Sequence, residues 1–290
     1  VNKLSKVGIV ILNYNDYEET SNFVEQIKKY KVLDEIVVVD NASTDNSFNK
    51  LSKLKDKNIS VIKTDKNNGY SSGNNYGVKY LESRVDYIII SNPDITVKEE
   101  VIKKLKQDLD ENENMAIVAP VIEQLGEKIR GWRLPRYFDE LLSNVNHFHK
   151  KATERLRYDE SRYQDEFARV EAVSGCFFMI RRDVLNLVGN FDEATFLYYE
   201  ENILGYKLKN INRQSFIDNT VSVTHNLSVS VDKSFNSIKK YKMLKTSQKY
   251  YVKYYLKTNI FGIILLRMVY GCSLAIAYTV VFFKNLRSKK

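Results

Sequence analysis

Five short aliphatic, mostly β-branched runs punctuate the first 120 positions, at residues 7–12, 36–39, 59–62, 87–90 and 116–118. They are nearly continuous in apolar character rather than alternating, which is the pattern of strands covered on both faces, so they predict a mostly parallel sheet. The stretches between them carry helical spacing. Asp16 with Glu19, and Thr96 with Glu99, stand at capping-box separation, and Val101, Ile102, Leu105 and Leu109 then form one apolar stripe. Repeated strand–helix–strand units of this kind predict a doubly wound α/β fold with helices flanking the sheet.

Composition narrows the class further. With 290 residues, 43% hydrophobic, 28% charged and only 11 Gly and 3 Pro, the chain is long enough for a real core and excludes fibrous, mucin-like or wholly disordered classes. Cys176 and Cys272 are far apart with no metal-binding spacing, so neither a disulfide framework nor a thiolate zinc site is expected, and a reducing compartment is. The apolar run at 7–12 is too short for a secretory signal and reads as a first strand. A net charge of +9 suits nucleic acid, an anionic membrane surface or a phosphorylated substrate.

Beyond residue 120 the chain divides. Residues 132–170 are rich in Arg, Tyr, His and acids with weak periodicity, as in an inserted, variable segment. Regular structure is expected again as a strand over 172–181 running into 182–185, and at 215–224. Between positions 232 and 257 eight lysines stand among six tyrosines and phenylalanines, a basic helical segment, and residues 260–283 are apolar apart from Arg267. The expected organisation is a main domain over 1–230, with 132–170 on its acceptor side, and a basic helix with an apolar membrane-associating tail over 231–290. Lysines flank both ends of the apolar stretch, so it fits a helix lying in an anionic leaflet, one crossing the membrane with Arg267 near an interface, or a hydrophobic dimer face.

Ligands of open α/β sheets bind outside the carboxyl ends of the strands. The residues there are unusually polar: Asn13, Asn15 and Asp16; Asp40, Asn41, Ser43 and Asp45; Ser91, Asn92 and Asp94. Each loop alone could be simple turn chemistry; three on one edge point to a site. Residues 68–77, NGYSSGNNYG, open a helix and could present backbone N–H groups to phosphate, although they match neither a dinucleotide nor a Walker motif. Asp94 after an Asn-Pro turn can cap the next helix or, with diphosphate oxygens and water, hold Mg²⁺ or Mn²⁺. Glu200 and Glu201 lie among aromatics, where burial raises carboxylate basicity, or simply start a solvated helix. His225 follows an apolar alternation as a metal ligand or an edge histidine.

In chain order, the segments VILNYN, VVDNASTD, NGYSSGNNYG, SNPD, SGCFFMIRR and GNFDE through YEE resemble glycosyltransferase family 2, inverting nucleotide-sugar enzymes of GT-A fold, and especially its rhamnosyltransferase-like branch. The resemblance covers about residues 6–230. It implies that Asn13, Asp40 and Asn41 hold the base and ribose of the donor, that Asn15 is also donor-binding, that Gly69 and Asn75 lie beside it, and that Asn92 and Asp94 stand at the acidic metal motif with Asn in place of the first acid. It implies Glu201 as general base with Glu200 before it, Asp94 and His225 as metal ligands, and Mg²⁺ or Mn²⁺ as cofactor. One departure is clear: the branch commonly carries another acid where this chain has Ile203. The implied activity is transfer of rhamnose from dTDP-rhamnose, or of a UDP-linked hexose, to a saccharide, lipid-linked acceptor in polysaccharide synthesis at the cytoplasmic face of the membrane. A homodimer through the C-terminal helices is compatible with this, and a catalytically silent sugar-nucleotide-binding subunit stays open because the departure lies in the base motif. Nothing matches a nucleic-acid motif, so no nucleic-acid partner is expected.

Overall fold

The computed structural model describes residues 5–227 and 237–287. The first half runs β1 (Val7–Asn13), α1 (Tyr17–Ile27), β2 (Glu35–Asp40), α2 (Ser47–Leu51), β3 (Ile59–Lys63), α3 (Tyr70–Leu81), β4 (Tyr87–Ser91), β5 (Ile95–Thr96) and α4 (Glu99–Glu111). It continues through β6 (Met115–Gln124), β7 (Glu127–Ile129), α5 (Tyr137–Leu142), α6 (Asn146–Leu156), β8 (Phe167–Val170), β9 (Phe177–Arg181), α7 (Arg182–Leu187), α8 (Glu200–Asn210) and β10 (Gln214–His225). A basic helix, Ser237–Tyr250, one π-helical turn, Tyr251–Tyr255, and a terminal helix, Ile260–Arg287, follow. All five apolar runs are strands.

They assemble into one sheet with path β3-β2-β1-β4-β9-β6-β10-β5, with β7 against β6 and β8 against β10. The pairs β3–β2, β2–β1, β1–β4 and β6–β10 are parallel, whereas β9 lies antiparallel between β4 and β6. Successive strand residues serve opposite layers. Ile9, Ile11 and Val38 pack with Phe23, Ile27, Ile102 and Leu105 on one face; Val10, Val37 and Ile90 pack with Val78, Leu81, Leu185 and Leu204 on the other. Each fully buried aliphatic side chain contributes about 1.5–3 kcal/mol, and continuous apolar strands are what this double covering requires. The α/β fold with flanking helices is therefore the one expected.

Local expectations were corrected in three places. Thr96 does not cap α4: it belongs to β5, paired with Thr224, and Lys98 precedes the helix instead. Asp16 does stand at the start of α1 but makes no side-chain capping bond there. The strand expected from 172 begins only at Phe177; Ala172 makes an isolated bridge to Trp132, and residues 174–176 form a loop that lines a cleft. The 132–170 segment holds two helices and β8, the latter pairing with β10. The start of the expected basic segment, the boundary at 230 and the last lysines lie outside the described residues. Among the described residues no helix is long and apolar enough to cross a membrane.

Candidate active site

Strand register builds the site. β4 pairs with β9 so that Ser91 faces Phe177, and the Asn92 N–H donates to the Cys176 carbonyl at 2.8 Å, which sets residues 174–176 beside the Asn-Pro-Asp turn. β5 pairs with β10 so that Ile95 faces His225, bringing the imidazole against Asp94. The result is a cleft of about 420 Å³ whose lining includes Asn41, Gly69, Asn92, Asp94, Glu200, Glu201 and His225. These seven and Asp16, all singled out in the sequence, meet there. Asn13, Asn15, Asp40 and Asn75 do not line it.

Asn13 and Asp40 lie beneath the cleft, fully buried. Asn13 Nδ2 donates to Asp40 Oδ2 at 2.9 Å and to Ser43 Oγ at 3.1 Å, and its Oδ1 accepts from Thr20. Asp40 Oδ1 accepts the Ser43 N–H. These bonds join the ends of β1 and β2, and Asn15 Oδ1 extends the brace by accepting the Thr44 N–H at 2.8 Å. Asn41 is on the lining itself, where its Nδ2 donates to Asn67 Oδ1 and the Gly69 carbonyl. Asn75 clasps the Phe191 backbone through both ends of its amide, beside a neighbouring cavity.

Gly69 cannot carry a side chain. Its φ is +100°, and a Cβ there would lie 2.1 Å from the Phe196 carbonyl oxygen, which accepts the Tyr70 N–H at 2.8 Å. Helix α3 and the 196–199 segment are thus drawn together as one wall. Gly175 plays a similar part: a Cβ would lie 2.9 Å from Glu201 Oε1, which instead accepts the Gly175 N–H.

Tyr198 and Tyr199, just before α8, have φ of 72° and 74°, two successive left-handed residues that are uncommon outside glycine. They aim the start of α8 into the cleft. Burial, then the neighbouring Glu201, push the Glu200 carboxyl well above the usual range; burial also raises Glu201, opposed by the Gly175 N–H. Two adjacent carboxyls, one buried and one half-buried, share a proton more readily than they both ionise. Of the two, Glu200 is pushed further above the ordinary carboxylate range. Ile203, where the resemblance leads one to expect an acid, is buried, so the missing acid belongs to a position facing the core.

Asp94 Oδ1 and His225 Nε2 are 3.2 Å apart, and His225 Nδ1 is 2.6 Å from Gln124 Oε1. With Nδ1–H donating to Gln124, the Nε2 lone pair and the carboxylate face one another, a contact that only a proton or a cation makes attractive. The residues therefore fit a divalent ion, and a mixed oxygen and nitrogen donor set suits Mn²⁺ better than Mg²⁺. Asp108, Glu166 and Asp218 also cluster closely enough for a metal. There the Lys104 ammonium already bridges all three, at 2.7 Å from Glu166 and 3.1 Å from Asp218, and their charge pushes its own pKa up. That cation is built in.

Sequence reasoning did not select Tyr70, Phe196 or Leu227, which also line the cleft. Nor did it find Glu140 and Gln248, which hold Tyr199 from behind. Their partners are supplied by separate helices, so no local spacing announces them.

The family described as Glycosyl transferase family 2 matches residues 8–189. The chain is similar to the low-salt glycan biosynthesis hexosyltransferase Agl10 of Haloferax volcanii, 26% identical over 226 residues, 77% of this chain and 68% of that protein. Among solved structures it is similar to a mannosyltransferase from Pyrobaculum calidifontis in complex with GDP-Man and Mn²⁺, with TM-score 0.59, 12% identity and coverage of 100% of this chain and 82% of that one. It is also similar to S. aureus TarS 1–349 in complex with UDP-GlcNAc, with TM-score 0.59, 14% identity and coverage of 90% and 70%. At such identities the structural likeness carries the fold alone.

Proposed function

The chain belongs to glycosyltransferase family 2, and from that premise we propose that it is an inverting transferase moving a sugar from a nucleoside diphosphate donor to a saccharide acceptor. The observation that carries this reading is the cleft shared by Asn41, Gly69, Asn92, Asp94, Glu200, Glu201 and His225. Asn41, Gly69 and Asn92 hold the donor over a floor braced by Asn13, Asn15 and Asp40, and Asn75 fixes the adjoining wall. Asp94 and His225 are the residues that would hold Mn²⁺, and a cation there would supply charge neutralisation at the leaving diphosphate. Glu201 takes the proton of an acceptor hydroxyl as that oxygen bonds to the anomeric carbon; the bond to the diphosphate oxygen breaks and its electron pair leaves with the nucleotide. One displacement gives inversion.

The motif order resembling the rhamnosyltransferase-like branch favours dTDP-rhamnose, whereas the name of the Haloferax volcanii relative points to a hexose. Thermal-shift binding of UDP, dTDP and GDP, each with and without Mn²⁺, separates them. A ligand that binds only the folded chain stabilises it by about 2.7 kcal/mol at a hundredfold excess over Kd. A metal-requiring rise with dTDP supports the rhamnose donor, and one with UDP or GDP a hexose. No rise with any nucleotide sinks the donor-binding reading, and binding without donor turnover leaves a silent subunit.

The terminal helix is read as a lipid-surface anchor that brings a lipid-linked acceptor to the cleft at the inner face of the membrane. One side of it, with Ile263 and Leu266, packs on Val252 and Tyr137. Ile260, Phe261, Ile264, Leu265 and Met268 form another, exposed side beside Lys257 and Arg267. An exposed apolar stripe flanked by cations suits an anionic bilayer surface. The full chain is expected to sediment with phosphatidylglycerol-containing vesicles and much less with pure phosphatidylcholine. Sedimentation with neither, together with a dimer by light scattering, would give that stripe to a second copy instead.

A further inference from the structure

The loop that delivers the two glutamates is held from behind by the C-terminal segment. Asp192 Oδ2 accepts the Tyr250 hydroxyl at 2.9 Å and the Tyr255 hydroxyl as well. Ser247 Oγ donates to the Leu197 carbonyl at 2.8 Å. Tyr199, whose left-handed backbone immediately precedes Glu200, donates its hydroxyl to Glu140 Oε2 at 2.6 Å, and its ring centroid lies 5.5 Å from that of Tyr251. Gln248 reaches the same Glu140 oxygen while binding Ser143 Oγ at 2.9 Å and accepting from Asn144 at 3.0 Å.

Glu140, Ser247 and Gln248 are all at least 98% buried. Glu140 Oε1 has no hydrogen-bond partner among the described residues. A buried carboxyl of this kind is a poor source of stability, and apolar residues of the same volume would serve that purpose as well. Such groups instead specify one arrangement of the elements they join. Here the joined elements are α5, the C-terminal segment and the left-handed residue that aims Glu200 and Glu201.

We propose that Glu140, Tyr199 and Gln248 are positioning residues for the reaction, through which the C-terminal segment fixes the geometry of the glutamate pair. This rests on the reading of Glu201 as the base. Misplacing a reacting group by an ångström costs about a hundredfold in rate, so losing the tie lowers turnover while leaving donor binding alone.

The test uses the full chain and nucleoside diphosphate release from UDP-glucose, UDP-N-acetylglucosamine, GDP-mannose and dTDP-rhamnose. Tyr199→Phe, which removes only the hydroxyl, and Glu140→Leu are expected to lower kcat by about ten- to a hundredfold with donor KM within about twofold of wild type. Glu140→Gln retains an acceptor for Tyr199 and is expected to keep most of the activity. The double variant Tyr199→Phe/Glu140→Leu should be no worse than either single one, because both break the same tie. Independently of turnover, amide hydrogen exchange over residues 198–203 should quicken in Tyr199→Phe. Wild-type kcat and unchanged exchange in that variant would overturn the proposal. Glu201→Gln run in parallel separates the two ideas: normal release from it removes the base assignment, while exchange still decides the tie.

Discussion

Glu201→Gln is expected to lower turnover by about a thousandfold while leaving nucleotide binding within about twofold of wild type. The amide keeps the shape of the side chain and an acceptor for the Gly175 N–H, so the loop geometry survives and only the proton acceptor is lost. Glu200→Gln should behave differently. Burial and then the neighbouring Glu201 push the Glu200 carboxyl well above the ordinary range, toward its neutral form, which an amide imitates. Its loss of rate should be milder. The pH profile adds a signed check: a base must be ionised to work, and Glu201 is raised above the ordinary carboxylate range. In the wild type kcat/KM therefore falls with acidification at a higher pH than an exposed glutamate would give. Because the amide in Glu200→Gln imitates the neutral form of its neighbour, the acid limb set by Glu201 should stay close to its wild-type position in that variant. Normal turnover by Glu201→Gln, or the same acid limb persisting in that variant, would take the base role away from Glu201.

How much of this was legible in the sequence depends on the range of the interactions concerned. The strands over 7–12, 36–39 and 87–90 announced themselves because burial on both faces leaves no polar alternation to disguise them. The α4 stripe was legible for the same reason: Ile102, Leu105 and Leu109 repeat at helical spacing and are all fully buried. Thr96 misled because its local spacing to Glu99 is genuine but a two-residue strand claims it, and pairing with β10 outweighs the cap. At the site, Asn41, Asn92 and Asp94 follow strand ends and could be found from that rule. The Asp94–His225 contact could not be read from spacing, since it depends on β5 pairing with a strand formed much later in the chain. The Tyr199–Glu140–Gln248 cluster is more distant still from any local signal. A tyrosine in an aromatic run, a glutamate in an insert and a glutamine among lysines acquire meaning only when three helical elements pack.

Asp94→Asn is expected to abolish the Mn²⁺-dependent part of nucleotide stabilisation, the second large effect. Asp94 is 5% exposed, and its side chain faces His225 Nε2 at 3.2 Å, so the substitution removes the charge at the point where the two donors converge while preserving the volume. Its backbone carbonyl, which accepts the Asn226 N–H at 2.9 Å, is untouched, and the β5–β10 edge should hold. The wild type with a hundredfold excess of nucleotide over its metal-assisted Kd gains about 2.7 kcal/mol, a rise of several degrees for a chain of this size. In Asp94→Asn the melting temperature with nucleotide should be the same with Mn²⁺ as with EDTA. His225→Gln should retain part of the response, because it removes one neutral donor and leaves the carboxylate. Glu201→Gln should retain all of it, since in the proposed mechanism its side chain serves the proton transfer and not the cation. That three-way pattern is what distinguishes a metal held by Asp94 and His225 from one held by the donor diphosphate alone. A full Mn²⁺ response in Asp94→Asn would mean that the Asp94–His225 contact is a proton-bridged brace of the β5–β10 edge, and the metal would have to be sought on the nucleotide.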